Sequence, residues 1–317
     1  MTSRRLALSL ILSGLAVAGC GVVVGGRAAS REQAAETAFP PTGQFVTVEG
    51  RRVHAHVEGQ GPDVVLIHGA GGNTRDFTFD LVKRLSPRYR VIAFDRPGLG
   101  YSDDLGPRET SPLAQAAVLQ AAARQLGVRD PIVLGHSYGG SVAMAWGLLD
   151  PAKTKGLVIV AGATLPWEGG LDAWYHVTGG AVGGATVVPL LTAFVPDART
   201  ETALTTIFAP APVPAGYGAH VGPGLTLRRA SLRANGRQVK ALKSNLIAMS
   251  PQYPTLPMPV ELLHGTADQT VLATVHSAPL SKILPRATLT LIDGAGHMPH
   301  HSHPDLVVQA IDRIARA

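Results

Sequence analysis

The ten residues from Pro131 to Gly140 constrain this chain more than any others. Pro131-Ile132-Val133-Leu134 is a short apolar run suited to a strand buried on both faces. Val142, Ala145, Trp146 and Leu149 then recur at helical spacing until Asp150-Pro151 stops the helix. Between them stands Gly135-His136-Ser137-Tyr138-Gly139, so a strand must turn into a helix with almost no connecting loop. Such a turn strains the residue at its apex, and glycines two positions before and after leave room for the crowded backbones. Ser137 is therefore pushed outward above the strand end.

The rest of the chain can be placed around that turn. Phe45–Val48 and Val53–Val57 alternate like an antiparallel hairpin at a sheet edge, with His54 and His56 on one solvent-facing side. Asp63–Ile67, Arg90–Phe94 and Gly156–Val160 read as fully buried strands, and Pro259–Leu263 and Ala287–Ile292 complete a set of eight. Helices are expected over Thr74–Leu85 and Ser111–Leu126, the second with Pro112 at its first position and Gly127 at its end. Strand and helix alternate, which implies a mainly parallel sheet with functional residues at the carboxyl ends of strands. With 317 residues, 45% of them hydrophobic, the chain can bury one large α/β core plus an insertion.

The alternation breaks between the sixth and seventh strands. Residues 163–256 are rich in Gly, Pro, Ala and Thr, with helical stretches near Gly183–Phe194 and Leu225–Met249, the latter interrupted at Asn235-Gly236. An insertion this long reads as a lid, because a structureless loop of that length is improbable in a compact domain. The core is then 43–162 and 257–317. Arg228, Arg229, Arg233, Arg237, Lys240 and Lys243 lie in a stretch with no acidic residue from Thr202 to Val260, and read as a solvated basic lid face or a dock for anionic lipid. The stretch lacks interleaved aromatics, so nucleic acid is not an expected partner.

Residues 1–26 read as a targeting segment, because Arg4-Arg5 precede an apolar run from Leu6 to Ala18. Val17-Ala18-Gly19-Cys20 resembles the lipobox of bacterial lipoproteins, which implies cleavage before Cys20 and lipid attached to it. An uncleaved membrane-spanning helix is the alternative, since Leu6–Gly25 stays apolar and is long enough to cross a bilayer. Plain secretion is a third. All three place the catalytic domain outside the cytoplasm, with the first two holding it at a membrane. Residues 27–42 show no periodicity and read as an irregular linker. The chain's single cysteine allows no internal disulfide, and its formal net charge of +6 is modest.

Four motifs in order and in strand context resemble the α/β-hydrolase superfamily, from about Phe45 to Ala315. They are His68-Gly69-Ala70-Gly71-Gly72, Asp95-Arg96-Pro97-Gly98-Leu99-Gly100-Tyr101-Ser102, the G-x-S-x-G elbow at Ser137, and the loops holding Asp268 and His297. The resemblance implies an eight-stranded, mostly parallel α/β-hydrolase sheet with helices on both faces and an inserted helical lid. It also implies the chain order Ser137, Asp268, His297 for nucleophile, acid and base. A serine hydroxyl needs an imidazole to take its proton, and a carboxylate to hold that ring's other N–H. The backbone N–H groups of Ala70 and Tyr138 are the implied oxyanion donors.

These features point to a serine carboxylic-ester hydrolase acting through an acyl-enzyme on an apolar, lipid-like ester, with no cofactor. Cofactor-free peroxidase or perhydrolase activity, C–C bond hydrolysis and amide hydrolysis use the same residues and stay open. A non-catalytic receptor is the remaining alternative. Asp293 reads as a turn residue, and His264 as structural. His300, His301 and His303 read as a surface loop with no metal, and the glycine loop is not a phosphate loop, since no Lys-Ser/Thr follows it.

Overall fold

A computed structural model describes residues 2–107 and 109–317; the side chains of residues 2–19 and of Asp197 lie outside the described ones. Eight strands form one sheet: β1 (Gln44–Val48), β2 (Arg51–Glu58), β3 (Asp63–Ile67), β4 (Arg90–Phe94), β5 (Ile132–His136), β6 (Gly156–Val160), β7 (Val260–Gly265) and β8 (Ala287–Ile292). Their spatial order is β1-β2-β4-β3-β5-β6-β7-β8. β1 and β2 pair antiparallel and β2 runs antiparallel to β4, while every pairing from β4 to β8 is parallel. The parallel part turns all its carboxyl ends to one edge, where the four motifs gather.

The inner strands are buried on both faces, and their two-residue period splits the core. Val65, Ile67, Val133 and Ile159 face one apolar cluster with Leu119, Val142 and Met144 from the helices Pro112–Gln125 and Tyr138–Leu149. Val64, Leu66, Leu134 and Val158 face the other, with Phe77, Leu81, Val307 and Ile311. The helix expected over Thr74–Leu85 is two short ones, Arg75–Thr78 and Leu81–Leu85.

Lid helices fill the insertion, among them Ala181–Phe194, Asp197–Phe208 and the long Arg229–Met249. The long helix passes straight through Asn235-Gly236, where a break was expected. A Cβ on Gly236 would lie 2.5 Å from Gly179 N, so glycine there permits close helix packing, while Asn235 is 8% exposed and turns inward.

The amino-terminal segment departs most from expectation. Thr2–Ala38 is one helix, so residues 27–38, read as part of an irregular linker, are regular structure packed on the lid. Ala28 is buried, Arg27 and Arg31 donate to Ala193 O (2.8 Å) and Val195 O (2.6 Å), and Glu32 pairs with Arg229 at 2.6 Å. Glu36 pairs with Arg228 at 2.8 Å. The basic stretch of the lid is thus largely not a free solvated face. Arg237 pairs with Asp104, Arg233 donates to Gly184 O and Lys243 to Gly169 O, whereas Lys240 is exposed. Cys20 is exposed on the amino-terminal helix. The side chains that carry most of the export-signal reading lie outside the described ones, and among the described residues no single helix is long and apolar enough to cross a membrane.

Candidate active site

Ser137 follows β5 directly and has φ 53 and ψ −120, a backbone conformation that non-glycine residues avoid. Neighbouring main chain holds it there. Ser137 N–H donates to Val160 O at 3.0 Å, and its carbonyl accepts from Gly140 N (2.9 Å) and Ala163 N (3.0 Å), so the exit of β6 brackets the turn. The flanking glycines are steric necessities: a Cβ on Gly135 would sit 2.1 Å from Gly139 O, and one on Gly139 would sit 2.1 Å from Ile67 O.

Asp268 lies three residues past β7 and His297 five past β8, and the two meet: His297 Nδ1 is 2.7 Å from Asp268 Oδ2. The other carboxylate oxygen accepts Thr270 N at 2.8 Å and Val271 N at 3.0 Å. Burial opposes ionisation of Asp268, yet hydrogen bonds from His264 and His297, the imidazole's charge and the Val271 amide outweigh it and hold the carboxyl well below its usual range. With Nδ1–H given to a carboxylate, His297 leaves Nε2 as a bare lone pair, able to take a proton from a hydroxyl.

His136, the chain neighbour of Ser137, reaches the backbone of His297. Its Nε2 donates to His297 O at 2.9 Å and its ring centroid lies 5.0 Å from that of His297. Burial, then the neighbouring His300 and His297, push the His136 imidazole well below its ordinary range, so it is a neutral donor. Ser137 Oγ makes no hydrogen bond among the described residues, and Ser137 is 8% exposed. The described cavities, including one of about 980 Å³ between the amino-terminal helix and the lid, are lined by other residues.

The amides expected to receive an oxyanion flank Ser137. Tyr138 opens the helix after the turn, and Ala70 sits on the glycine loop after β3. A Cβ on Gly69 would lie 3.1 Å from Ser137 Cβ, so the two loops touch. Among the described residues neither Ala70 nor Tyr138 gives its N–H to an acceptor.

Several histidines take places that sequence reasoning did not assign. His264 Nε2 lies 3.1 Å from Asp268 Oδ2 and 2.6 Å from Val271 O, and its Nδ1 lies 2.6 Å from Ser277 Oγ, so it steadies the acid loop. His54 is buried against Asp95 at 2.7 Å instead of facing solvent. His300 and His301, expected on a surface loop, are enclosed around Asp76, at 3.1 and 2.7 Å, with Tyr217 OH at 2.8 Å. The donor atoms of Asp76, His300 and His301 lie within 4.8 Å of one another. Nδ1 of both rings lacks a partner, however, whereas metal-bound imidazoles pass their second N–H to an acceptor. Hydrogen bonding to Asp76 accounts for the cluster better than a metal. Asp293 is exposed in a turn, taking Thr266 Oγ1 at 3.2 Å.

The fold and these loops have clear relatives. The alpha/beta hydrolase family model matches residues 64–310, and the chain belongs to that family. It is 31% identical over 266 residues to a pimeloyl-[acyl-carrier protein] methyl ester esterase of Edwardsiella ictaluri, covering 80% of this chain and 93% of that one. It is 26% identical over 282 residues to a 2-hydroxymuconate semialdehyde hydrolase of Pseudomonas putida, covering 86% and 94%. Among solved structures, a bacterial membrane phospholipase A superposes with TM-score 0.67 at 21% identity over 100% of both chains.

Proposed function

We propose that the protein is a serine carboxylic-ester hydrolase whose substrate is an apolar, lipid-like ester. The observation that carries the reading is the Asp268–His297 pair at 2.7 Å beside a serine held at positive φ. In this reading Ser137 Oγ attacks the ester carbonyl carbon while His297 Nε2 takes its proton, and Asp268 stabilises the imidazolium. The N–H groups of Ala70 and Tyr138 receive the charge on the former carbonyl oxygen, each worth about 3 kcal/mol in such sites. The C–O bond then breaks, the alcohol leaves with the proton from His297, and water attacks the acyl-enzyme by the reverse relay. A Ser–His hydrogen bond absent from the free enzyme commonly forms only once substrate is bound.

The relative named as a methyl ester esterase, the more similar of the two curated relatives above, supports ester hydrolysis. Turnover of p-nitrophenyl acyl esters is expected, and Ser137→Ala should lower it about 10⁴-fold or more. A folded Ser137→Ala protein that keeps most of its activity sinks the reading.

We also propose that the amino-terminal helix holds the enzyme at a membrane outside the cytoplasm, either lipidated at Cys20 or uncleaved. The uncharged run from Leu6 to Val24 and the full-length likeness to a membrane phospholipase A support this. Intact mass of protein taken from the membrane fraction separates the two forms: lipidation gives a chain starting at Cys20 with added acyl mass. A full-length or truncated chain found in the soluble fraction contradicts both.

A further inference from the structure

The peptide plane between Gly69 and Ala70 carries one of the amides proposed above for the oxyanion, and its far end is firmly held. A trans peptide is planar, so its N–H points opposite to its C=O. Whatever fixes the Gly69 oxygen therefore aims the Ala70 N–H. Three donors converge on that oxygen: Arg96 Nη2 at 3.0 Å, His68 Nδ1 at 2.9 Å and Gly72 N–H at 3.3 Å. His68 Nε2 accepts Arg96 N–H at 2.9 Å, which leaves the imidazole proton on Nδ1, facing Gly69 O.

Arg96 is an unusual residue to find here. Its side chain is fully buried, yet among the described residues it pairs with no carboxylate. Nε donates to His68 O at 2.9 Å, and Nη1 to Gln115 Oε1 and Gln238 Oε1, both at 2.8 Å. The guanidinium also lies 4.2 Å from the centroid of the Tyr138 ring. Burial lowers its pKa to about 10, so it stays charged at neutral pH. A buried cation without a counter-charge is costly, and a turn needs none. This one touches the loop of the first amide and the residue that owns the second.

The lid reaches the same loop. Gln238 lies on the long lid helix and also donates to Pro97 O at 2.7 Å. One turn earlier, Asn235 accepts Gly71 N–H at 2.8 Å, and Thr226 donates to Gly71 O at 2.5 Å. Gly71 has φ +64, so both peptides flanking a left-handed residue are pinned by the insertion.

We infer that Arg96 is a positioning residue that aims the Ala70 amide at the oxyanion, and that Gln238 ties this setting to the lid. The inference rests on the hydrolase reading. A cation bonded to the carbonyl also polarises the peptide and strengthens its N–H as a donor.

The test uses the full chain, p-nitrophenyl esters and a trifluoromethyl ketone, which forms a tetrahedral adduct with a serine. Arg96→Lys keeps the charge but loses the fork. Its kcat should fall about 10-fold to 100-fold, with KM within about threefold, ketone affinity weakened by a similar factor, and the acid limb of the pH profile unmoved. Gln238→Ala, which leaves Arg96 in place and covers the case of Arg96→Lys failing to fold, should lose about threefold to tenfold in kcat at constant KM. A folded Arg96→Lys enzyme with unchanged kcat, or losses in either variant that fall on KM alone, overturn the inference. If wild type turns over no ester and takes no fluorophosphonate, the hydrolase reading itself has failed.

Discussion

Gly139 has no room for a side chain, because its missing Cβ would lie 2.1 Å from Ile67 O in the adjacent strand. Gly139→Ala must push the start of the helix Tyr138–Leu149 away from β3, at about 3 kcal/mol or more, and should lower the melting temperature by about 6–12 °C. A melting temperature within about 2 °C of wild type would mean the elbow packs differently. Constraints of this kind are local, which is why Ser137 could be singled out from its flanking residues, whereas Asp268 and His297, on loops after later strands, are implied by the resemblance to the family's chain order. The residues that support them could not. His136 looks like an ordinary strand terminus, and its partner His297 O is defined only once the sheet is assembled; His264 reads as structural, but its hold on Asp268, Val271 and Ser277 is not legible in the sequence. His54, His300 and His301 were expected in solvent for the same reason. Their carboxylate partners, Asp95 and Asp76, are far away along the chain.

Among elements, the amino-terminal helix and the long lid helix act as one unit. Glu32 Oε1 accepts Arg229 N–H at 2.8 Å, so an acid from a distant segment caps the lid helix and offsets its dipole. Close by, Arg27 and Arg31 satisfy carbonyls at the carboxyl end of helix Ala181–Phe194, which itself bonds to Leu227 O through Thr192. Glu32→Ala should cost about 1 kcal/mol, seen as a melting temperature lower by about 2–4 °C, and should speed proteolysis within the lid. Unchanged stability and unchanged cleavage would show that the contact does not hold the lid. This helix was hidden from a periodicity reading because charge pairs and small residues, not an apolar stripe, dock residues 27–38. The strands and core helices bury continuous or periodic apolar sets, and their placement was legible.

At the scale of the molecule, buried neutral imidazoles couple stability to pH. Burial, then Arg96, lowers His68 to about 4, and burial, then His264, lowers His276 to about 4. His136 and His300 are lowered as well, burial again the leading cause. With folded values below the unfolded value of about 6.5, the unfolded chain takes up protons first as pH falls. Stability is therefore full above about pH 6.5 and is lost towards pH 4; for His68 the loss by pH 5 is about 2 kcal/mol. The melting temperature should drop by about 5–10 °C between pH 7 and pH 5, and a flat profile would contradict the buried, uncharged state of these rings. The claim on which the rest depends is that Ser137 is activated by His297. Its most direct measurement is the rate and position of fluorophosphonate labelling, read by peptide mass. The expected result is one adduct, on Ser137, forming about 100-fold or more slower in His297→Ala. An adduct elsewhere, or an unchanged rate without the imidazole, would contradict it.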